Sequence, residues 1–233
     1  MKEDGDVPAE DVKTRSHRLF LDDIEYLAFT RRLAWSPDGS VLLTPAGCYQ
    51  DLKQVPRSAT YSYTVYGFSR HQLSEPAFML PGLTQYATCI RFSPYLYKLT
   101  DLEPGLLALP YQMIFAVGTT DQIILFSTQD TKPLAVIGNI HYSTINDLTW
   151  TSDGKLLASS SDGYVSIVIS NEIKGLERLP IEEVPVELQD YYRALDEVDY
   201  SKLEKEVLSQ KNNQFMTVVL KQKKPTTVQA ISD

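Results

Sequence analysis

A tight hairpin recurs along this chain, and its recurrence constrains the fold more than any other feature of the sequence. Residues 31–47 read RRLAWSPDGSVLLTPAG, and residues 145–168 read INDLTWTSDGKLLASSSDGYVSIV. Both stretches contain Leu-x-Trp-(Ser/Thr)-x-Asp-Gly, so Trp150 aligns with Trp35 and Gly154 with Gly39. Self-similarity with a period of about 20 to 50 residues indicates a fold built from stacked copies of one unit.

A third, more degenerate copy lies between these two. ATCIRFSP at 87–94 repeats the first half of the unit with Phe92 at the tryptophan position. A long insertion follows, and QMIFAVGTTDQIILFSTQD resumes the pattern at residue 112. The chain therefore contains three copies of one plan.

Each copy has the composition of strands joined by turns. Short runs of β-branched, aromatic and leucine residues are bounded by Gly, Pro, Asp or Ser. Asp-Gly suits a tight hairpin because both residues tolerate left-handed backbone angles. In the last copy INDLTW, KLLASSS and YVSIVIS read as three strands joined at Asp153-Gly154 and Asp162-Gly163. PAFMLPG at 76–82 and PLAVIGN at 133–139 are suited to a fourth strand in the earlier copies.

Four antiparallel strands in about 40 to 50 residues, with Asp-Gly turns, are typical of a blade in a WD-repeat β-propeller. We predict an all-β fold over residues 17–172, with blades near 28–83, 84–140 and 141–172. Propellers close with about four to eight blades, so we predict an incomplete propeller. The isolated chain is expected to aggregate or to need a partner that covers its open edges.

The Trp-Asp pair of this repeat type is absent, because Val168 and Phe126 stand at the tryptophan positions. In WD repeats a His, a Ser or Thr, an Asp and the Trp form a hydrogen-bonded set, of which only His141, Ser160 and Asp162 are available here. The predicted structural positions of the blades are Trp35, Asp38, Gly39, Phe92, Asp121, Trp150, Asp153, Gly154, Ser160, Asp162 and Gly163. A catalytic interpretation of Ser159–Asp162 with His141 is disfavoured, since no motif joins nucleophile, base and oxyanion donor.

The two ends of the chain differ from the repeats. Apolar residues three and four apart predict an amphipathic helix near 186–210, within a tail of 173–233 that is otherwise loose, although FMTVVL at 215–220 is compatible with a strand. The helix could dock into a partner or cover the propeller's own edge, and the sequence favours neither. Residues 1–16 are acidic and are predicted to form a flexible, solvated segment.

Composition excludes several classes of function. The 30 acidic and 22 basic residues give a net charge of -8, which disfavours direct sequence-specific nucleic-acid binding. Cys48 and Cys89 have no metal-ligand or disulfide spacing. Neither a signal peptide nor an apolar run of membrane-spanning length occurs, so a soluble, intracellular protein without membrane contact is expected. We also expect no enzymatic activity, cofactor or metal.

Longer stretches add a family resemblance. RRLAWSPDGSVLLTPAGC, followed by YTVYGFSRHQLSEPAFMLPG, resembles a blade of the middle (WD-repeat) subunits of chromatin assembly factor 1. The insertion before Leu109-Pro110-Tyr111 and the connection at 139–142 resemble the next two blades of that family. The resemblance covers roughly residues 17–172 and implies that residues 17–33 end a preceding blade.

This resemblance implies a non-enzymatic scaffold subunit of a nuclear histone chaperone complex, which deposits histones H3–H4 during DNA replication and serves DNA repair. Its implied partners are the large subunit of chromatin assembly factor 1, the small histone-binding WD subunit, and H3–H4 directly or through the complex. Two alternatives stay open: a propeller of replication-independent histone deposition, against which Thr44-Pro45-Ala46-Gly47 argues, and a generic WD-repeat adaptor in ubiquitin ligation or trafficking. No motif for docking a second histone chaperone is evident in the tail.

The candidate partner-binding residues are Arg31, Arg32, Tyr95, Tyr97, His141 and Tyr142. The two arginines at the start of a strand could contact an acidic strip or phosphate, or could simply be solvated. Tyr95 and Tyr97, with Tyr111, flank an insertion, where partner-specific loops commonly occur. By contrast, the recurring aromatic residues Trp35, Phe92 and Trp150 are predicted to form inter-blade core rather than a ligand cage.

Overall fold

The computed structural model describes residues 17–22, 26, 28–50, 62–100, 105–169, 176–196 and 215–219. Within these residues the chain is mostly β-strand, with one short 3-10 helix at Ile181–Glu183 and one α-helix, α1, at Val186–Asp196. The strands are β1 His17–Phe20, β2 Ala34–Trp35, β3 Val41–Gln50, β4 Ser62–Ser69, β5 Phe78–Leu83, β6 Ala87–Tyr97, β7 Gln112–Thr119, β8 Gln122–Ser127, β9 Asp130–Gly138, β10 Ile145–Trp150, β11 Leu156–Ser160, β12 Val165–Ile169 and β13 Phe215–Val219. The predicted segments 1–16 and 197–210 lie outside the described residues.

Three sheets form three successive blades that do not close into a ring within the described residues. Blade 1 has the order β1-β3-β4-β5, with β2 also paired to β3. Blade 2 is β6-β7-β8-β9, and blade 3 is β10-β11-β12-β13. Strands β3–β5, β6–β9 and β10–β12 each follow one another as the predicted meander.

Strand β1 corrects one expectation. The family resemblance placed residues 17–33 at the end of a preceding blade, yet β1 pairs antiparallel with β3, with His17 opposite Gln50 and Phe20 opposite Gly47. Strand β2 pairs with the earlier part of the same strand, with Trp35 opposite Leu42. Because β1 and β2 follow one another along the inner edge of β3, residues 17–20 belong to blade 1.

The outer strand of blade 3 comes from the tail. Strand β13 pairs with β12 in parallel orientation, whereas the other strand pairs described are antiparallel. The outer strands of blades 1 and 2 contain Pro81 and Pro133, and proline protects a free edge because it cannot donate a ladder hydrogen bond. Strand β12 reads VSIVI, without proline or charge, and β13 covers its edge instead.

The hairpin turns share one local arrangement. The Ser36 hydroxyl donates to the Asp38 carboxylate at 2.6 Å, Thr119 donates to Asp121 at 3.0 Å, and Thr151 donates to Asp153. Each carboxylate thereby ties the first position of its turn to the third. The glycines that follow Asp38, Asp153 and Asp162 have φ values of 67°, 86° and 85°. These left-handed angles are the ones for which Asp-Gly was predicted.

Alternating strand residues build the cores between blades. On β7, Phe115 and Val117 pack toward Leu43 and the rest of blade 1, while Ala116 lies in the second core with Leu148 and the rest of blade 3. The period of two along a strand explains how one strand serves two junctions. Adjacent blades are therefore held together mainly by the apolar side chains that are buried between them.

The tail caps one end of blades 2 and 3. The Leu179 N–H donates to the Leu96 carbonyl at 2.9 Å, and the Lys98 N–H donates to the Glu177 carbonyl at 2.9 Å. Helix α1 then buries Tyr192 against the ring of Tyr95, with 5.7 Å between centroids. The described part of the predicted amphipathic helix thus covers its own propeller.

Candidate partner-binding surface

One carboxylate links the inner strands of blades 2 and 3 to the segment that leads into β2. Asp147 on β10 accepts a hydrogen bond from the Arg91 Nη2 group at 3.1 Å and lies 3.3 Å from Arg32 Nε. Arg91 also donates from Nε to the Leu148 carbonyl at 3.0 Å. The side chains of Arg32, Arg91 and Asp147 are 44%, 28% and 32% exposed, so screening by water makes each pair a weak contributor to stability. The network chiefly positions the inner strands.

A groove of about 410 Å³ opens beside this network. The recurring aromatic residue on the inner strand of each blade contributes to its wall, and α1 contributes Tyr191 and Leu195. Its lining residues include Trp35, Phe92, Trp150, Tyr191, Leu195, Pro37 and Pro94. Grooves that combine aromatic walls with a few polar groups are suited to apolar anchors of a partner. This groove is therefore a candidate partner-binding surface among the described residues.

Trp35 does not occupy the predicted inter-blade core. Its side chain is 42% exposed, and the guanidinium of Arg70 lies 5.3 Å from the ring. Strand β2 has only two residues, and no described blade packs against this side of blade 1. Phe92 and Trp150 do pack in cores: the Phe92 ring lies 5.1 Å from Phe115, and the Trp150 indole N–H donates to the Arg91 carbonyl at 3.0 Å.

Tyr95 and Tyr97 are buried rather than displayed on a partner-binding loop. Strand β6 continues through the start of the sequence insertion, and the two tyrosines are 4% and 5% exposed. The Tyr95 hydroxyl donates to the Ser152 carbonyl, the Arg178 guanidinium lies 3.7 Å from its ring, and burial raises its pKa to about 12. Tyr97 shares a 2.8 Å hydrogen bond with Ser93. These residues hold the tail in place and do not lie on an exposed loop, and their contact with a partner stays a prediction.

The His141 side chain is also buried, and it forms hydrogen bonds within blade 3. Its side chain is 2% exposed, with Nδ1 3.1 Å from the Asp162 carboxylate and Nε2 3.0 Å from the Ser166 hydroxyl. Ser160 instead donates to the Ser143 carbonyl at 3.1 Å. The sequence pattern pointed to the serines just before Asp162, whereas the serine that hydrogen-bonds with His141 lies on the next strand, β12.

The Ser166–His141–Asp162 order matches that of a hydrolytic triad, but Ser166 is 0% exposed. Because the Ser166 hydroxyl is buried, no substrate can reach it, and these three residues have a structural role.

Among the remaining candidates for partner binding, Tyr142 is 94% exposed and available to a partner. Arg31 lies with its guanidinium 4.5 Å from the Tyr26 ring.

Acid is expected to loosen blade 3 through Asp162. Burial opposes ionisation of this carboxyl, but hydrogen bonds from the N–H groups of Tyr164 and Tyr142, and from His141, lower its pKa to about 2. A lowered pKa stabilises the fold fully above the ordinary value of 3.8, and this contribution is lost as the pH falls toward 2. Resistance to urea unfolding of the wild type should therefore weaken over that interval, and Asp162→Asn should flatten the dependence. Parallel pH curves for the two proteins would contradict the assignment.

No cluster of three metal-ligating side chains occurs in the described part of the chain. Cys48 and Cys89 are buried free thiols, and burial raises the pKa of Cys89 to about 11. Among the described helices none is both long and apolar enough to cross a membrane.

Comparison with known proteins shows the family to which the chain belongs. A family model described as the CAF1B/HIR1 beta-propeller domain matches residues 3–174. The chain belongs to this family. The family resemblance drawn from the sequence and the predicted open WD-type propeller are thereby confirmed.

Relatives of this CAF1B/HIR1 propeller carry two kinds of name. The B subunit of chromatin assembly factor 1 from Mus musculus is 39% identical over 185 residues, 75% of this chain and 31% of the relative. The Saccharomyces cerevisiae protein of the same name is 37% identical over 145 residues, 60% of this chain and 31% of its own length. Protein HIR1 of Candida albicans is 28% identical over 141 residues, 60% of this chain and 14% of the relative. The chain thus spans about a third of the length of the chromatin assembly factor relatives that it matches.

Among solved structures, a chain in the crystal structure of the mitotic checkpoint complex is 14% identical, with a TM-score of 0.37, and the match covers 72% of this chain and 56% of that one. The WD40 propeller domain of Doa1 is 12% identical, with a TM-score of 0.24, and the match covers 61% of this chain and 62% of that domain.

Proposed function

We propose that this chain is a non-enzymatic scaffold subunit of a nuclear chromatin assembly complex that deposits histones H3–H4 during DNA replication. The observation that carries the proposal is the identity of 36% to 40% with proteins named as the B subunit of chromatin assembly factor 1 or as its FAS2 homolog, from mouse, rice and two yeasts. Identity with relatives named HIR1 or HIRA is lower, at 26% to 32%.

The surface chemistry supports a binding role. The groove beside α1 offers Trp35 and Tyr191, 42% and 51% exposed, to apolar anchors of the proposed large subunit. Aromatic residues of this kind dominate the energetics of many interfaces. The net charge of -8 favours encounter with basic histones at long range, whether contact is direct or through the small histone-binding WD subunit.

A binding experiment tests the proposal. Tagged wild-type chain should recover the large chromatin assembly subunit together with H3–H4 from nuclear extract. Tyr191→Ala removes an exposed groove aromatic and should cause a roughly tenfold fall in recovery of the large subunit. Val136→Ala is the matched control, because Val136 is 55% exposed on β9 and lies outside the groove.

Different partners would give different outcomes. Recovery of a cullin adaptor or of vesicle coat proteins in place of the large chromatin assembly subunit would overturn the proposed function. Equal loss with Tyr191→Ala and Val136→Ala would remove the groove from the proposal. Association with replication-independent deposition factors alone would assign the chain to the other branch of its family.

A further inference from the structure

Helix α1 forms one wall of the aromatic groove. Tyr191 and Leu195 lie on that wall, and the other residues that line the groove belong to the three blades. An isolated helix with the 11 residues of α1 is marginal in water, because helices shorter than about 12 to 15 residues rarely form without tertiary packing. The wall therefore depends on how α1 is held against the propeller.

The apolar cluster that holds α1 shares side chains with the groove. Tyr192 is 3% exposed within this cluster, whereas Tyr191, the residue before it, is 51% exposed and lines the groove. Phe92, Trp150 and Leu195 pack against the cluster and also line the groove. Because these side chains are packed together, loss of the cluster also displaces the groove wall.

Tyr95 links the cluster to the lining of the groove. Its ring packs edge to face against Tyr192, with 5.7 Å between centroids. Its hydroxyl donates to the carbonyl of Ser152, a residue that lines the groove, and lies 3.2 Å from the carboxylate of Asp196 at the end of α1. One buried side chain thereby fixes α1 and the groove relative to each other.

The tail has a second attachment, which lies outside the groove. Two backbone hydrogen bonds, from Leu179 to Leu96 and from Lys98 to Glu177, join the segment before α1 to β6. None of these four residues is among those that line the groove in the described part of the chain. The amide protons of Leu179 and Lys98 therefore report on docking of the tail without lying in the groove itself.

We propose that Tyr192 is a positioning residue for partner binding: it holds α1 in place as the wall of the groove, so that tail docking and occupation of the groove stabilise each other. The partner in the groove is the large chromatin assembly subunit, so this coupling rests on the proposed function. Coupling of this kind is reciprocal, because a partner that binds only when the tail is docked must also favour docking. Tyr192 does not line the groove, so its effect on binding is indirect.

Affinity for the purified large subunit tests the positioning role. Tyr192→Ala should raise the Kd of the full chain by about tenfold or more, which is within the usual range for coupled sites. Tyr192→Phe should restore binding, because the Tyr192 hydroxyl has no hydrogen-bond partner among the described residues. Val136→Ala, on an exposed position of β9, is the matched control. Wild-type affinity in Tyr192→Ala would overturn the positioning role.

Amide hydrogen exchange tests the coupling in the reverse direction. The amides of Leu179 and Lys98 should exchange about tenfold more slowly when the large subunit is present at about ten times its Kd. Tyr191→Ala and Tyr192→Ala should both weaken binding, but only Tyr192→Ala should speed exchange at these two amides in the free chain. Unchanged exchange at both amides in the complex would overturn the coupling. Retained protection of blade 1 shows that a variant is folded.

Tryptophan fluorescence separates failure of the coupling from failure of the proposed function. Trp35 and Trp150 are the two tryptophans of the chain, so Trp35→Phe leaves Trp150 as the reporter of the groove. Acrylamide quenching of Trp150 should rise about twofold when Tyr192→Ala is added, because the indole loses packing, and should return with Tyr192→Phe. If the wild type fails to bind the large subunit, the proposed function is wrong, and this quenching alone decides whether Tyr192 shapes the groove. Unchanged quenching would show that it does not.

Discussion

Replacing Phe115 by alanine is expected to lower the free energy of unfolding by about 3 to 5 kcal/mol. Phe115 is 1% exposed on β7, with its ring 5.1 Å from that of Phe92 and 5.6 Å from that of Phe126. These rings fill the junction between blades 1 and 2, where two paired sheets cannot collapse around the cavity. Urea denaturation followed by tryptophan fluorescence measures the loss.

Two variants bracket this prediction. Phe115→Leu keeps most of the apolar volume and should lose clearly less stability than Phe115→Ala. Phe29→Ala removes an aromatic ring that is fully exposed and should leave the unfolding midpoint unchanged. If Phe115→Ala were no more harmful than Phe29→Ala, the packed junction between blades 1 and 2 would be wrong.

Replacing Tyr192 by alanine is expected to detach the tail from the propeller. Tyr192 is 3% exposed and packs edge to face against Tyr95 at the centre of the apolar cluster beneath α1. Loss of a large buried aromatic side chain typically removes about 3 to 5 kcal/mol, which exceeds the stability of most isolated short helices. Amide hydrogen exchange should become fast throughout α1 and at the tail contacts of residues 96–98, while blade 1 keeps its protection.

Tyr191 is the matched control for this second variant. It precedes Tyr192 on α1 but is 51% exposed, so Tyr191→Ala should leave the exchange protection of the helix nearly unchanged. Equal deprotection by both substitutions would show that the buried Tyr192 ring is not what holds α1. Unchanged exchange in Tyr192→Ala would mean that the tail is not packed on blades 2 and 3.

The hairpins were predictable because their signals are local. Asp-Gly turns, an aromatic residue at the end of each first strand and alternating apolar residues are all read within a few positions of the chain. Gly39, Gly154 and Gly163 adopt positive φ values, and β10, β11 and β12 occupy the segments proposed for them. The repeat thus determined the blade and the open propeller.

The candidate site was less predictable because burial depends on distant segments. Tyr95 and Tyr97 look like exposed loop residues until the tail, about eighty residues later, packs over them. Trp35 looks like core because it repeats with Trp150, but its exposure depends on whether another blade stands beside it. Ser166 reaches His141 across two strands, a contact that no short motif records.

The sequence by itself determined the strand-turn unit, its three occurrences and the family, because periodicity and turn chemistry act between near neighbours in the chain. Only the tertiary structure decided that β1 joins blade 1, that β13 covers β12 in parallel, and that α1 shapes the aromatic groove. Those outcomes depend on which apolar surfaces meet after the blades have formed. These contacts depend on packing between segments that are far apart in sequence, and no local sequence pattern specifies which segments pack together.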